Sequence, residues 1–183
     1  MKYFIIAGEA SGDLHGSNLI KELLKTDPEA LIQCWGGDRI EEAGADLLVH
    51  YRELAFMGFW EVITNLGSIS KKLKTCRRQI LEFKPDLVIL IDYPGFNLRM
   101  AEFLKSRDIK VYYYISPKVW AWKASRIEKI RKYIDRMYVI FPFEPEFFSS
   151  YDYKVQYFGN PLVEAVTDGL SNAPARESFI RDN

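Results

Sequence analysis

Acidic side chains in a glycine-containing turn are the first candidates for chemistry. The segment AGEASGDLHG places Glu9, Ser11 and Asp13 directly after a short apolar run. Its glycines are separated by four residues each, a spacing that matches neither the dinucleotide-binding fingerprint nor a P-loop. Carboxylates repel phosphate but accept protons and the hydrogen bonds of sugar hydroxyls. We therefore expect this turn to face a hydroxyl-rich ligand, with capping of the following helix by Ser11 or Asp13 as the alternative.

A second carboxylate follows the most apolar segment of the chain. Asp92 is the first charged residue after LVILI at 87–91. Loss of hydration at such a position raises the pKa of a carboxyl group, which suits it to act as a general base near neutral pH. In the alternative interpretation, Asp92 only caps the turn before Pro94. Asn97 can cap a helix beginning at Leu98 or orient a ligand.

Aromatic and basic side chains alternate in the segment ISPKVWAWKASR. Trp120 and Trp122 suit sugar rings and apolar chains, whereas Lys118, Lys123 and Arg126 suit phosphate. Aromatic packing over the edge of a sheet is the alternative. A further segment, 57–78, combines a wide apolar face with a cationic end, as an interfacial membrane helix does. An ordinary core-facing helix with a solvated end explains the same pattern.

Composition excludes several classes of protein. The chain has 183 residues, 48% of them hydrophobic, and its 25 basic residues balance 25 acidic ones. Because no global field attracts polyanions, we expect no nucleic-acid partner. Cys34 and Cys76 fit no metal spacing or disulfide framework, and no metal-ligand cluster is evident, so we expect no metal and no cofactor. No run of about 18 apolar residues predicts a membrane-spanning helix.

The elements that must position these residues alternate between strands and helices. Short, continuously apolar runs separated by segments of helical period predict an α/β fold, a Rossmann-like doubly wound parallel sheet. Its functional crevice should lie at the carboxyl ends of the strands. We expect one domain over residues 1–162 and a linker over 163–183. The predicted strands are Tyr3–Ala7, Leu31–Trp35, Leu47–Val49, Leu87–Ile91, Val111–Tyr114, Met137–Ile140 and Val155–Tyr157. The predicted helices are Gly12–Lys25, Arg39–Ala43, Gly58–Phe83, Leu98–Ser106, Ala124–Tyr133 and Glu144–Tyr151.

An ordered set of motifs resembles one known family. The motifs are AGEASGD at 7–13, MGFWEV at 57–62, PDLVILIDYPGFN at 85–97, YYISPKVWAW at 113–122, FPFE at 141–144 and FGNPL at 158–162. Their order and spacing resemble the amino-terminal half of the lipid-A-disaccharide synthases.

The resemblance implies the N-terminal domain of an inverting GT-B glycosyltransferase of lipid A biosynthesis in Gram-negative bacteria. Such an enzyme transfers 2,3-diacylglucosamine from UDP-2,3-diacylglucosamine to 2,3-diacylglucosamine 1-phosphate (lipid X). The products are UDP and lipid A disaccharide 1-phosphate. The resemblance also implies a cytoplasmic protein held peripherally on the cytoplasmic face of the inner membrane, with a homodimer of the full-length protein as a further expectation.

The resemblance assigns roles to individual positions. Asp92 is the first candidate for the base that activates the acceptor 6-hydroxyl, and Glu9 is the second. The expected substrate-binding residues are Gly8, Ser11, Gly12, Asp13, Asn97, Ser116, Trp120, Trp122, Arg126 and Asn160. The expected membrane-contacting residues are Met57, Phe59, Trp60, Val62, Ile63, Leu66 and Ile69.

Two departures from the family pattern lead to further expectations. The chain reads GGDRI at 36–40 where the family commonly has Gly-Gly-Pro-x-Met, so the turn there should differ in shape. It stops at Asn183 without a second Rossmann-like domain, so we expect it alone neither to bind UDP tightly nor to catalyse transfer. Two alternatives stay open: another GT-B-like nucleotide-sugar enzyme of the epimerase type, and a non-catalytic module that binds a membrane or a partner.

Overall fold

A single parallel sheet forms the centre of the molecule. The computed structural model describes residues 1–55, 66–121 and 126–171. Seven strands pair in the order β3-β2-β1-β4-β5-β6-β7. They are β1 (Lys2–Ala7), β2 (Leu31–Gly36), β3 (Asp46–His50), β4 (Leu87–Ile91), β5 (Lys110–Tyr114), β6 (Arg136–Val139) and β7 (Gln156–Tyr157). All pairs are parallel, which confirms the predicted Rossmann-like doubly wound sheet.

Helices connect the strands on both faces of the sheet. Within the described residues the helices are α1 (Ala10–Thr26), α2 (Asp38–Glu42), α3 (Tyr51–Ala55), α4 (Leu66–Phe83), α5 (Pro94–Lys105), α6 (Arg126–Tyr133), α7 (Glu144–Ser149) and α8 (Pro161–Ser171). The helix predicted from Leu98 begins at Pro94, a residue preorganised for a first helical turn. The predicted linker starts inside α8, and residues 172–183 lie outside the described part of the chain.

Two apolar layers enclose the central strands. Phe4 and Ile6 of β1 and Val88 of β4 belong to the cluster under α4, α5 and α6, whereas Ile5 and Ile89 belong to the cluster under α1 and α2. Alternate residues of one strand point to opposite faces, so a strand covered on both sides is apolar throughout. This double burial explains why LVILI contains no polar residue.

The order of the strands creates a crevice between β1 and β4. The chain moves outward from β1 through β2 to β3, and then returns to place β4 on the other side of β1. At such a switch point the loops after the two strands diverge to opposite faces, which leaves space for a ligand. Ala7 pairs with Ile91 in the register, so the residues that follow them face each other across this crevice.

Candidate active site at the carboxyl edge of the sheet

Asp92 and Glu9 meet at the switch point, as the sequence predicts. Asp92 is half-buried, and the pKa of its carboxyl group is raised to about 6. Burial is the largest cause, the negative charge of Glu9 and a hydrogen bond with it add to the rise, and the Tyr93 amide and the Lys118 cation oppose it. Such a pair can share a proton, and a carboxyl with this pKa can act as a base near neutral pH.

Ser11 belongs to the same group of side chains. Its hydroxyl donates a hydrogen bond to Oε1 of Glu9 over 2.9 Å, and both residues are exposed. Glu9 occupies the N-cap position of α1 in extended conformation, but no side chain caps the helix there. The exposed helix terminus and the two side chains are therefore open to a ligand in the crevice.

The backbone of Asp92 has an unusual conformation. The φ angles are 42° at Asp92, 47° at Tyr93 and 64° at Ile115, which follows the neighbouring strand β5. Non-glycine residues in this region carry about 1–3 kcal/mol of strain each, and such residues cluster at functional sites. Asn97 stabilises the turn, because its Nδ2 donates to the carbonyl oxygens of Ile91 at 3.2 Å and Asp92 at 2.7 Å.

The predictions for Asn97 require correction. Its side chain is fully buried in the first turn of α5, and it donates to backbone carbonyls, so it neither caps the helix nor reaches a ligand. The helix begins four residues earlier than the sequence suggested, at Pro94, directly after Tyr93 in left-handed conformation. Asn97 therefore stabilises the backbone of Asp92 from the buried side of the turn.

Asp13 was also assigned incorrectly. Its carboxylate is 3% exposed and accepts hydrogen bonds from the backbone amides of Gly37 at 2.8 Å, Ile40 at 3.1 Å and Arg39 at 3.2 Å. These amides belong to the turn after β2 and to the first residues of α2. Asp13 therefore joins α1 to α2 and neither caps α1 nor faces substrate hydroxyls.

The glycines of the first turn serve packing. A Cβ on Gly8 would lie 2.3 Å from the ring of Tyr93. The Tyr93 ring therefore occupies the space next to the Gly8 backbone in which a ligand would have to lie. A Cβ on Gly12 would lie 3.2 Å from that of Ala7, so this glycine lets α1 lie close to β1. Both are buried, which argues against the predicted contact with substrate.

The loop after β5 is fastened to the loop after β6. Ser116 is 5% exposed, and its hydroxyl donates to Oε1 of Glu144, which is 1% exposed. The other oxygen of Glu144 accepts hydrogen bonds from the amides of Ile140 at 3.0 Å and Phe141 at 2.8 Å. Ser116 therefore holds the loop in place instead of binding a ligand. The sequence did not indicate that Glu144 links the two loops.

Three aromatic rings form an exposed cluster beside this loop. The centroid of the Trp120 ring lies 5.1 Å from that of Phe143 and 6.0 Å from that of Phe141. Trp120 is 37% exposed and Phe143 is 45% exposed, so apolar surface remains available for a ring or an acyl chain. Lys118, two residues before Trp120, is also exposed at this edge.

The remaining predicted residues are dispersed. Arg126 is the first residue of α6 and is half-buried. Its positive charge lowers the pKa of the Tyr113 hydroxyl, against the larger effect of burial. Asn160 caps α8, because its Oδ1 accepts the Leu162 amide at 3.0 Å, and it lies three strands away from Asp92. The predictions for Trp122 and for the membrane-contacting residues Met57, Phe59, Trp60, Val62 and Ile63 fall outside the described residues.

Part of the predicted membrane segment lies in α4. Leu66 is the first residue of this helix, and Ile69 is half-buried in its first turn. Among the helices described, none is both long and apolar enough to cross a membrane.

Solved structures share this architecture. UDP-GlcNAc 2-epimerase from Neisseria meningitidis, in complex with UDP-GlcNAc, superimposes with a TM-score of 0.69 at 14% identity. The match covers 99% of this chain and 52% of that one. The corresponding enzyme from Rickettsia bellii gives a TM-score of 0.64 at 12% identity, over 93% of this chain and 48% of that one. At these identities the likeness shows the fold alone.

Sequence comparison identifies the family. Lipid-A-disaccharide synthase from Geobacter metallireducens is 44% identical over 181 residues, and that from Coxiella burnetii is 40% identical over 178. The alignments cover 99% and 97% of this chain but 47% of each relative, so the chain spans about half the length of the curated relatives it matches. The family model described as "LpxB: Lipid-A-disaccharide synthetase" matches residues 3–183. The chain therefore belongs to the lipid-A-disaccharide synthase family, as the order of its motifs predicts.

Proposed function

We propose that the full-length protein transfers 2,3-diacylglucosamine from UDP-2,3-diacylglucosamine to the 6-hydroxyl of lipid X, with inversion at the anomeric carbon. Family membership supports the overall reaction. The observation that carries the assignment of a site is the pair of carboxyl groups, Asp92 and Glu9, at the crevice between β1 and β4.

In the proposed mechanism Asp92 is the general base. The 6-hydroxyl oxygen of the acceptor forms a bond to the anomeric carbon while the bond from that carbon to the diphosphate oxygen breaks. The hydroxyl proton moves to the Asp92 carboxylate, and UDP leaves with the electron pair. A pKa of about 6 keeps most Asp92 groups ionised at neutral pH while leaving them basic enough to accept the proton.

Glu9 has a supporting place in this mechanism and is the second candidate for the base. Its charge raises the pKa of Asp92, and Ser11 holds its carboxylate at the mouth of the crevice. We propose that helix N-termini and cations meet the charge that develops on the diphosphate. Lys118 is one such cation, because its charge already acts on Asp92.

Replacing Asp92 by Asn in the full-length protein tests the assignment. Loss of a general base should lower kcat by about 10²- to 10⁴-fold. Asp86→Asn is the matched control, since Asp86 is an exposed carboxylate at the opposite end of the same strand. Near-normal turnover by a folded Asp92→Asn protein would remove Asp92 from the mechanism. Conversion of UDP-GlcNAc to its 2-epimer without acceptor would instead support an epimerase.

We propose further that the protein binds peripherally to the cytoplasmic face of the inner membrane through residues 57–69. The apolar residues of this segment and the lysines that follow support the proposal. Co-sedimentation of the full-length protein with anionic liposomes should fall when Phe59 and Trp60 are replaced by Ala. The control is Phe158→Ala, since Phe158 is 83% exposed elsewhere. Unchanged binding would refute the assignment, and a homodimer stays a prediction that analytical ultracentrifugation can check.

A further inference from the structure

Two buried side chains converge on the backbone carbonyl oxygen of Asp92. The hydroxyl of Tyr113, in β5, donates a hydrogen bond to this oxygen, and Nδ2 of Asn97, in α5, donates another over 2.7 Å. Both residues are fully buried, so neither donor has access to a ligand in the crevice. Their common target is the peptide group that carries the candidate base.

The same turn is held from a third direction. The amide of Asp92 donates to the carbonyl oxygen of Tyr114 over 3.1 Å, so β5 holds both peptide groups that flank the Asp92 side chain. Asp92 and Tyr93 both have positive φ angles, and non-glycine residues keep this conformation only where their surroundings enforce it. The hydrogen bonds to the peptide groups of Asp92 supply that enforcement.

We propose that Tyr113 is a positioning residue: with Asn97, its hydroxyl holds the Asp92 carbonyl and thereby directs the Asp92 carboxylate toward Glu9 and the acceptor hydroxyl. The inference rests on the proposed function in assigning the acceptor. The positioning itself is a property of this chain and can be measured without turnover.

The charges around Asp92 determine the sign of the expected effect. Glu9 faces it from the loop after β1, Lys118 from the loop after β5, and Tyr93 follows it in the chain. Tyr113 is itself kept neutral, because burial and the charge of Asp92 raise its pKa well above the ordinary value, while Arg126 opposes this. Removing a neutral hydroxyl therefore alters the titration of Asp92 through geometry. A carboxylate that turns from Glu9 toward water has a lower pKa.

Tyr113→Phe in the full-length enzyme tests the inference with little change in core volume. The matched control is Tyr153→Phe, because the Tyr153 hydroxyl also donates to a backbone carbonyl, that of Ile134, over 3.1 Å at the other edge of the sheet. Both variants lose one such bond, but only Tyr113→Phe affects Asp92. We expect Tyr113→Phe to lower kcat by about 10- to 100-fold with KM little changed, since small misplacements of a reacting group have effects of this size.

Two pH measurements separate positioning from a general loss of stability. In Tyr113→Phe the acid limb of the kcat/KM profile should move to lower pH, and carbon-13 NMR should show the pKa of the Asp92 carboxyl falling from about 6 toward 3.8. Tyr153→Phe should leave both unchanged. Wild-type titration of Asp92 in Tyr113→Phe would overturn the inference. If that variant does not fold, Asn97→Ala tests the same carbonyl by the same titration.

The NMR titration also distinguishes this inference from the proposed reaction. A full-length protein without transferase activity would refute the proposed function, yet a displaced Asp92 pKa in Tyr113→Phe would still support the positioning role. Transferase activity combined with an unaltered titration and an unaltered pH profile would refute the positioning role alone.

Discussion

Replacing Asp92 by Asn should make the folded chain more stable at neutral pH while removing the proposed base. The pKa of Asp92 is raised from 3.8 to about 6, first by burial and then by the charge of Glu9. Between these values the folded state binds a proton that the unfolded state has released. Stability therefore falls as the pH rises through this window and stays low above it. Asn carries no charge and avoids this loss.

The size of the effect follows from the displacement of the pKa. One pKa unit corresponds to about 1.4 kcal/mol, so the displacement amounts to about 3 kcal/mol above pH 6. This value is an upper bound, because Asp92 is only half-buried and water screens part of its charge. Asn also tolerates a positive φ angle well, which adds a gain that does not depend on pH.

Urea unfolding at two pH values provides the assay. At pH 7 Asp92→Asn should raise the free energy of unfolding by roughly 2 kcal/mol, and most of this gain should vanish near pH 3.5. Asp86→Asn, at the other end of β4, is the control, because its exposed carboxylate lies away from the crevice and accepts the Lys2 amide over 2.8 Å; this variant should not gain stability at pH 7. An Asp92→Asn chain less stable than the wild type at pH 7, or a gain equal at both pH values, would refute the reasoning.

Three other substitutions follow from the same geometry. Glu9→Gln removes a negative charge beside Asp92, so the pKa of Asp92 should fall below about 6 but stay above 3.8, as a carbon-13 NMR titration would show. Asp13→Ala leaves three backbone amides unpaired and should lower the free energy of unfolding by about 3 kcal/mol in urea. Gly8→Ala places a methyl group 2.3 Å from the Tyr93 ring and should lower the free energy of unfolding by about 1–3 kcal/mol in the same assay.

Controls for these substitutions are available in the chain. Gly95→Ala is matched to Gly8→Ala, because a Cβ at Gly95 meets nothing within 4 Å, and its stability should not fall. Asp13→Asn retains one acceptor oxygen and should lose less stability than Asp13→Ala. The argument for Glu9 would be contradicted by an unchanged Asp92 titration in Glu9→Gln. The argument for Asp13 would be contradicted if Asp13→Ala lost less than about 1 kcal/mol of stability. The argument for Gly8 would be contradicted if the two glycine variants were equally stable.

The strands and the catalytic candidates were predictable from the sequence for the same reason. A strand covered on both faces is a short apolar run, and its first charged residue marks its end, as Asp92 does after LVILI. Parallel strands bring all such ends to one edge, so Asp92 and Glu9 could be placed together without knowledge of side-chain contacts. Helix α8 was missed because the composition of the tail resembled a linker.

Side-chain direction was not predictable. Asp13 binds the amide of Gly37, which lies 24 residues away, and no local pattern indicates that partner. Ser116 depends in the same way on Glu144, which is 28 residues away. Tyr113 is the exception: it is the middle residue of three consecutive tyrosines, and the period of two in a strand places it on the opposite face from its two neighbours.

The contact of Asp13 with the turn after β2 has a consequence for ligand binding. Three converging backbone amides make a concave nest of the kind that holds phosphate in other proteins. Here the chain supplies its own anion, tethered in place, and a phosphate group would have to displace it. We therefore expect this turn of the Rossmann-like domain not to bind nucleotide phosphates. The three amides stabilise the fold by binding the Asp13 carboxylate. We therefore expect the loops around Asp92 and Lys118 to contact the charged groups of the proposed substrates.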